Sequence, residues 1–272
     1  MLNQKIYKNF NQFIAKFMQI NYYGSYSLLK KEVLRFLKVY HQTLLSPVVN
    51  IILFLMVFSL SVGEHVEKIG SVSFAVFVSA GLIMMSALQN SFANSSSSFV
   101  MGKVMGHIVD YLIPPLGALE LLFAFGIGAI ARGICVAFVA YLVILFFVPL
   151  TIFNFYYLLL FLILGCAFLG MMGILCGILS ETFDQMSAMT SYVITPLTFL
   201  SGTFYSTNSL PQFWQNFAHI NPIFYMIDGF RYGLTGYNDS NLNIGIWYLI
   251  ILNLILASAL FTMLKRGYKI TH

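Results

Sequence analysis

Charge is scarce in this sequence. Only 8% of its 272 residues are Asp, Glu, Lys or Arg, about a third of the share usual in soluble domains. A soluble chain of this size cannot clothe its surface with so few ionised groups, so a water-borne domain is excluded. Cysteine is sparse too. Cys135, Cys166 and Cys176 are odd in number, lie in apolar stretches and lack metal-ligand spacing, which argues against disulfides and zinc. Catalytic constellations are missing. There is no His-Glu-x-x-His, and Glu64-His65 stands alone in a short polar link. No Gly-x-Ser-x-Gly elbow occurs. Gly102-Lys103 is followed by Val104 and has no upstream glycine at the spacing of a phosphate-binding loop. Any ATP energy must therefore come from a partner, and neither an enzyme nor a resident cofactor is expected.

What the chain has in abundance is apolar sequence, at 59% of its residues. The apolar residues gather in runs near or above the 20 or so needed to cross about 30 Å of hydrocarbon. Barrel strands would alternate instead, and hydrocarbon leaves no partner for an unpaired backbone, so the spans are helices. The runs predict an all-α integral membrane protein with six transmembrane helices, over about 44–62, 71–92, 116–151, 155–179, 186–200 and 242–264. The third is one long helix interrupted only by Arg132. Three units follow: a cytoplasmic N-terminal segment (1–42), a six-helix domain (43–264) and a short tail (265–272). Residues 1–22 place Ile6, Phe10, Phe13 and Phe17 at helical spacing but have no continuous apolar core, unlike a cleaved signal. Over 25–42, Leu29, Val33, Phe36, Leu37 and Tyr40 share a helical face, with Lys30, Lys31, Arg35 and Lys38 mostly opposite. That is the pattern of a helix lying in the interface of an anionic leaflet.

The net charge of +5 is a matter of topology rather than of nucleic acid. Of the 14 basic residues, all except Lys68, Arg132 and Arg231 fall in the N-terminal segment, the 94–115 connection or the C-terminal tail. Positive residues stay inside, so both termini are expected in the cytoplasm. Within the spans only Glu120 and Arg132 are ionisable. Twelve residues apart, they cannot pair along one helix, and the preferred placement is a cytoplasmic interface or vestibule. The fourth run carries Gly173 and Gly177, a small-xxx-small pair that lets helices approach closely.

Two connections carry functional interest. The 94–115 segment begins with Asn94-Ser95-Ser96-Ser97-Ser98, read as a turn or helix start, and continues with Phe99, Val100, Val104 and Ile108 near helical spacing. A short amphipathic helix there could dock in another protein's groove or lie on its own bundle. The 201–241 segment is too aromatic for a plain loop and too broken by Pro and Gly for a span. Helical pieces dipping into the outer leaflet fit, with Phe213, Trp214, Phe217, Phe224 and Tyr225 at headgroup depth. Asp228 and Arg231 are spaced to pair on one helix face.

The residues Leu200-Ser201-Gly202-Thr203-Phe204-Tyr205-Ser206, Leu210-Pro211, and Asn221-Pro222-Ile223-Phe224-Tyr225-Met226-Ile227-Asp228-Gly229-Phe230-Arg231 resemble the signature of ABC-2 type permeases. These are membrane subunits of ATP-binding cassette exporters for drugs, polysaccharides and lipid-linked glycans. The resemblance covers essentially the whole chain, including Ile113-Pro114-Pro115 and the Ala131-Arg132-Gly133 step. It implies two permeases working with two separate ATP-binding subunits in the bacterial inner membrane, in contact with lipid and not with nucleic acid. It assigns Phe99, Val100, Lys103, Val104, His107 and Ile108 to a coupling helix on the ATPase, and Glu181 and Asp184 to a second cytoplasmic contact. Ser201, Gly202, Phe204, Pro211, Asn221, Pro222, Tyr225, Asp228 and Arg231 would belong to an outer re-entrant cap. The alternative is an ion-coupled transporter or channel without an ATPase, centred on Glu120.

Overall fold

A computed structural model describes residues 21–61, 68–106 and 116–268. Helix dominates them. Helix α1 (Tyr22–Lys38) leads through one π-helical turn (His41–Leu45) into α2 (Ser46–Ser61). A two-stranded hairpin follows, β1 (Lys68–Ile69) and β2 (Val72–Ser73), with Lys68 opposite Ser73. Next come α3 (Phe74–Val104), α4 (Ala118–Ile144) and α5 (Phe155–Leu179). Then α6 (Phe183–Met189), a π-helical stretch (Thr190–Ile194) and α7 (Thr195–Phe199) follow one another without a loop. A 3-10 turn (Thr207–Ser209), α8 (Gln212–Ile220), α9 (Pro222–Thr235) and α10 (Leu242–Lys265) complete the chain.

Side chains start these helices, because first-turn N–H groups in an apolar setting have no water to satisfy them. Asn21 accepts from Gly24 N at 2.8 Å, and Asn154 from Tyr156 N at 3.1 Å. Asn241 accepts from Asn243 N at 3.0 Å and Thr182 from Gln185 N at 3.3 Å. The caps explain why α5 and α10 begin where their apolar runs begin.

Among the described residues, five helical stretches are long and apolar enough to cross a membrane: His41–Phe58, Phe74–Val104, Ala118–Ile144, Phe155–Leu179 and Leu242–Lys265. The expected fifth span differs. Residues 183–199 extend about 25 Å at 1.5 Å per residue, and a π-helical stretch interrupts them. The third expected span is also shorter than the run 116–151, since α4 ends at Ile144 and turns follow.

The largest correction concerns residues 94–98, expected as a break between the second span and a separate helix. They are helical and α3 runs unbroken through them. Asn94, Ser95, Ser96 and Ser98 are all buried. Ser95 and Ser98 bond inside the bundle instead of ending the helix, Ser95 Oγ donating to Phe125 O at 3.4 Å and Ser98 Oγ to Glu32 Oε1 at 2.7 Å, and one turn earlier Ser91 Oγ donates to Ala129 O at 3.0 Å. In hydrocarbon such bonds hold helices together.

Helix α3 is the centre of the bundle, with α4 antiparallel and α5 parallel to it. Its seam with α5 is set by glycine. A Cβ at Gly173 would fall 2.3 Å from the Phe92 carbonyl oxygen, and one at Gly177 would fall 2.4 Å from Phe99 Cβ. The larger apolar core joins Phe77, Leu88, Phe161, Phe224 and Leu249. A smaller one joins Leu28, Phe99, Leu121, Phe125, Ile178 and Leu264, at the end of the bundle that holds α1 and the close of α10 (the terminal end below).

Candidate functional site

At the terminal end α1 packs on α4. Leu28, Glu32 and Phe36 are its buried residues, while Leu37 and Tyr40 are exposed. Glu32 fastens the buried side. Its carboxylate is buried and accepts from Ser98 Oγ at 2.7 Å and from Arg35 Nη2 at 3.1 Å. Arg35 also donates from Nη2 to Asn94 O at 2.7 Å and from Nη1 to Ser97 Oγ at 3.1 Å. Gly128 of α4 makes room for this acid: a Cβ there would stand 3.1 Å from Glu32 Cβ. Glu120 sits in the first turn of α4, where the helix dipole favours an anion, and accepts from Asn21 N at 3.3 Å.

The expected coupling residues fall at the last turns of α3. Phe99 and Val100 are buried, the Phe99 ring centroid lying 4.5 Å from that of Phe125. Met101, Val104 and Met105 are exposed. His107 and Ile108 lie outside the described residues. Lys103 donates to Ile178 O and, at 3.1 Å, to Ser180 O, so the tip of α3 is tied to the carbonyls that close α5. The next residues, Glu181 to Gln185, are exposed. Gln185 Oε1 accepts from Glu181 N at 2.8 Å and holds this link as a compact turn.

At the opposite end the 201–241 segment divides in two. Helix α8 turns Phe213, Trp214, Phe217 and Ile220 outward. Helix α9 is buried, and Phe224 and Tyr225 are buried with it. Its glycines permit this: a Cβ at Gly233 would meet Leu158 N of α5 at 2.5 Å. Pro211 precedes α8, and Pro222 opens α9. Asn221 caps α9 through Ile223 N at 3.0 Å and donates to Leu197 O at 2.8 Å.

Asp228 is buried and accepts from Asp239 N at 2.8 Å, Ser240 N at 2.9 Å and Ser240 Oγ at 2.6 Å. Arg231, also buried, lies 3.8 Å from Asp228 Oδ1 and donates to Gly202 O at 2.6 Å. Its guanidinium carbon stands 3.7 Å above the Phe77 ring, a cation–π contact. Gly202 has φ of +72°, a conformation that favours glycine. Ser201 and Thr203 both donate to Thr198 O, at 2.5 and 2.8 Å, closing α7. Phe204 stacks on Phe58 with centroids 4.4 Å apart. Asp239 gathers the loop, accepting from Ser206 Oγ at 2.7 Å, Thr207 N at 3.0 Å and Tyr237 OH at 2.8 Å. Burial pushes the Tyr237 phenol above its ordinary range, and the Asp239 carboxylate adds to the effect, so Tyr237 remains a donor.

Between the ends, the π-helical turn, α2, α3, α4 and the 190–195 stretch enclose a cleft of about 320 Å³. Gln42, Ser46 and Asn50 line one wall and Ser86, Gln89 and Asn90 another. Arg132 completes it from α4, bonded to Asn90 Oδ1 at 3.0 Å.

The pattern of the ABC-2 type transporter family matches residues 24–235. The chain belongs to the ABC-2 type transporter family. It is 35% identical over 241 residues to the inner membrane transport permease YadH of Escherichia coli strain K12, covering 89% of this chain and 94% of that protein. It is 24% identical over 209 residues to nodulation protein J of Rhizobium leguminosarum bv. trifolii, covering 72% of this chain and 75% of that one.

Two residues of this ABC-2 family chain escaped the sequence reading. Glu32 hides among the lysines of α1, though an acid opposite a polar serine run is a legible signal. Asp239 lies in a polar loop with nothing local to distinguish it. Glu32→Gln is expected to cost about 1.5–3 kcal/mol, the worth of hydrogen bonds to a charged group. The check is the thermal midpoint by circular dichroism in mild detergent; an unchanged midpoint would mean that the carboxylate does not fasten α1.

Proposed function

We propose that the chain is the permease subunit of an ABC exporter in the bacterial inner membrane. Two such permeases work with two separate ATP-binding subunits and move a drug, lipid or glycan outward. Both termini face the cytoplasm and residues 183–199 make a sixth crossing, consistent with their course from the close of α5 to Thr203, whose carbonyl lies against Gly81 near the start of α3. The 201–235 segment caps the outer mouth. The terminal end then carries the ATPase contact.

The observation that carries this reading is the patch around Lys103. Met101, Val104 and Met105 are exposed about the tip of α3, and Lys103 bonds the carbonyl of Ser180, after which Glu181, Phe183 and Asp184 are exposed in turn. Solvent-facing apolar residues beside charged ones mark a protein contact. Because Lys103 ties the α3 tip to the close of α5, a subunit seated there would displace both helices together. The ion-coupled alternative loses its central group, since Glu120 sits at the end of α4 and not at mid-depth.

Val104→Asp puts a charge into the patch without touching the core. It is expected to weaken co-purification with the ATPase of the neighbouring reading frame at least tenfold, about 1.4 kcal/mol, and to abolish permease-stimulated ATP hydrolysis in vesicles. Unchanged capture and hydrolysis would count against this contact. A permease that never captures an ATPase would count against the exporter.

A further inference from the structure

We propose that the cleft beside α2 receives the anionic head of an amphipathic substrate, and that Arg132 is the group that recognises it. This rests on the permease reading above. It is tested by equilibrium binding, so it can fail while coupling to an ATPase stands.

Arg132 lies about midway along the 27 residues of α4. A cation at that depth costs several kcal/mol unless it meets a partner or a polar cavity. Among the described residues no acid pairs with it. Its single hydrogen bond among the described residues goes to the neutral amide of Asn90, and its Nε is buried without a partner. The neighbouring charge whose field reaches it is another cation, Arg35, and Glu32 is already engaged by Arg35 and Ser98. A guanidinium offers five donors in a planar fork shaped for carboxylate or phosphate oxygens. Here most of that capacity is unspent.

The walls narrow the ligand further. Gln42, Ser46 and Asn50 recur every fourth residue, are all exposed, and face the cleft. Polar groups on the outer face of a membrane helix cannot face lipid tails without cost, so they are there for something polar. Among the described residues no Asp or Glu lines the cleft, and Arg132 makes its lining positive. Ile51, Phe54, Leu82 and Met85 make an apolar side. A cation among amides and hydroxyls, next to an apolar wall, suits one oxyanion carried on a hydrocarbon body. A volume of about 320 Å³ holds a headgroup and the first part of such a body.

The test uses the full-length permease in phosphatidylcholine nanodiscs, with radiolabelled dodecyl phosphate as probe and empty discs as blank. Saturable binding is expected, with no competition from inorganic phosphate, which lacks the apolar part, or from dodecylphosphocholine, whose charge is balanced. Competition by phosphatidic acid identifies a lipid headgroup as the source; competition by decanoate alone identifies a dissolved amphiphile. Arg132→Gln is expected to weaken binding at least tenfold, and Arg132→Lys to recover part of it. A buried arginine can also matter for folding, so Asn50 supplies an independent arm. Asn50→Asp is expected to weaken binding several-fold and Asn50→Lys to tighten it, which no loss of fold can imitate. Non-saturable binding, equal affinity for the zwitterion, or indifference to the Asn50 charge would overturn the proposal.

Discussion

Asp228→Asn is expected to destabilise the protein by about 3–5 kcal/mol, the usual cost of leaving a buried charge without its partner. The native carboxylate takes donors from two directions, Asp239 N on Oδ1 and Ser240 N with Ser240 Oγ on Oδ2. An asparagine turns one of those acceptors into a donor, facing either Asp239 N or the Ser240 pair. It also takes the nearest carboxylate from the buried Arg231 guanidinium, leaving it the Gly202 carbonyl and the more distant Asp239. At 2–4 °C per kcal/mol for chains of this size, the thermal midpoint followed by size-exclusion chromatography should fall by roughly 10 °C. Arg231→Met should fall by a similar amount for the converse reason. The double change Asp228→Leu with Arg231→Met is expected to recover much of the loss, because an apolar pair can replace a buried ion pair. The recovery stays partial, since Asp239 N and Ser240 N keep no acceptor. Additive losses in the double variant would refute the coupling.

Gly173→Leu is the second large effect expected. The first added carbon would fall 2.3 Å from the Phe92 carbonyl oxygen and 3.2 Å from Ser95 Cβ. One obstacle is backbone and the other is anchored to its helix, so neither can swing aside. The helices α3 and α5 must part, and the serine bonds to α4 strain with them. Overpacking usually costs about 1–3 kcal/mol, and a backbone obstacle puts this site at the upper limit or beyond. The expected readout is loss of the monodisperse peak in detergent. Gly126→Leu is the control, since a Cβ there meets nothing within 4 Å. Equal behaviour of the two variants would mean that the seam is not tight.

Much of this architecture is legible in the residues. Helix α5 occupies its whole apolar run, Phe155–Leu179, because an asparagine caps one end and a polar link closes the other. The pairing of Asp228 with Arg231 follows from spacing, although its complete burial does not. Failures came where tertiary structure overrode local preference. Ser95 to Ser98 read as a turn or helix start, since serine competes with the helix for its own backbone, yet Ser95 donates to the Phe125 carbonyl of α4, Ser98 to the Glu32 carboxylate, and Ser96 and Ser97 to carbonyls of α3 itself. The burial of Glu32 in α1 does not show in the hydrophobic pattern, because it depends on Arg35 beside it and on Asn94, Ser97 and Ser98 of α3 lying opposite. The burial of Phe224 and Tyr225 does not follow from residue type, since the glycines that draw α9 inward act only through contact with α5.

The continuity of α3 has a mechanical consequence. Its 31 residues make a rod about 46 Å long at 1.5 Å per residue, against a hydrocarbon core of about 30 Å. Some 16 Å of it therefore projects beyond that core if it stands upright, without a hinge where the serines lie. A rod transmits what a jointed segment absorbs. Tilting this one by about 5° moves one tip by roughly 4 Å relative to the other over the length set by its rise. The serine stretch that looks like a break is thus part of a lever arm, and a glycine pair inserted at 95–96 would soften it while leaving both ends in place.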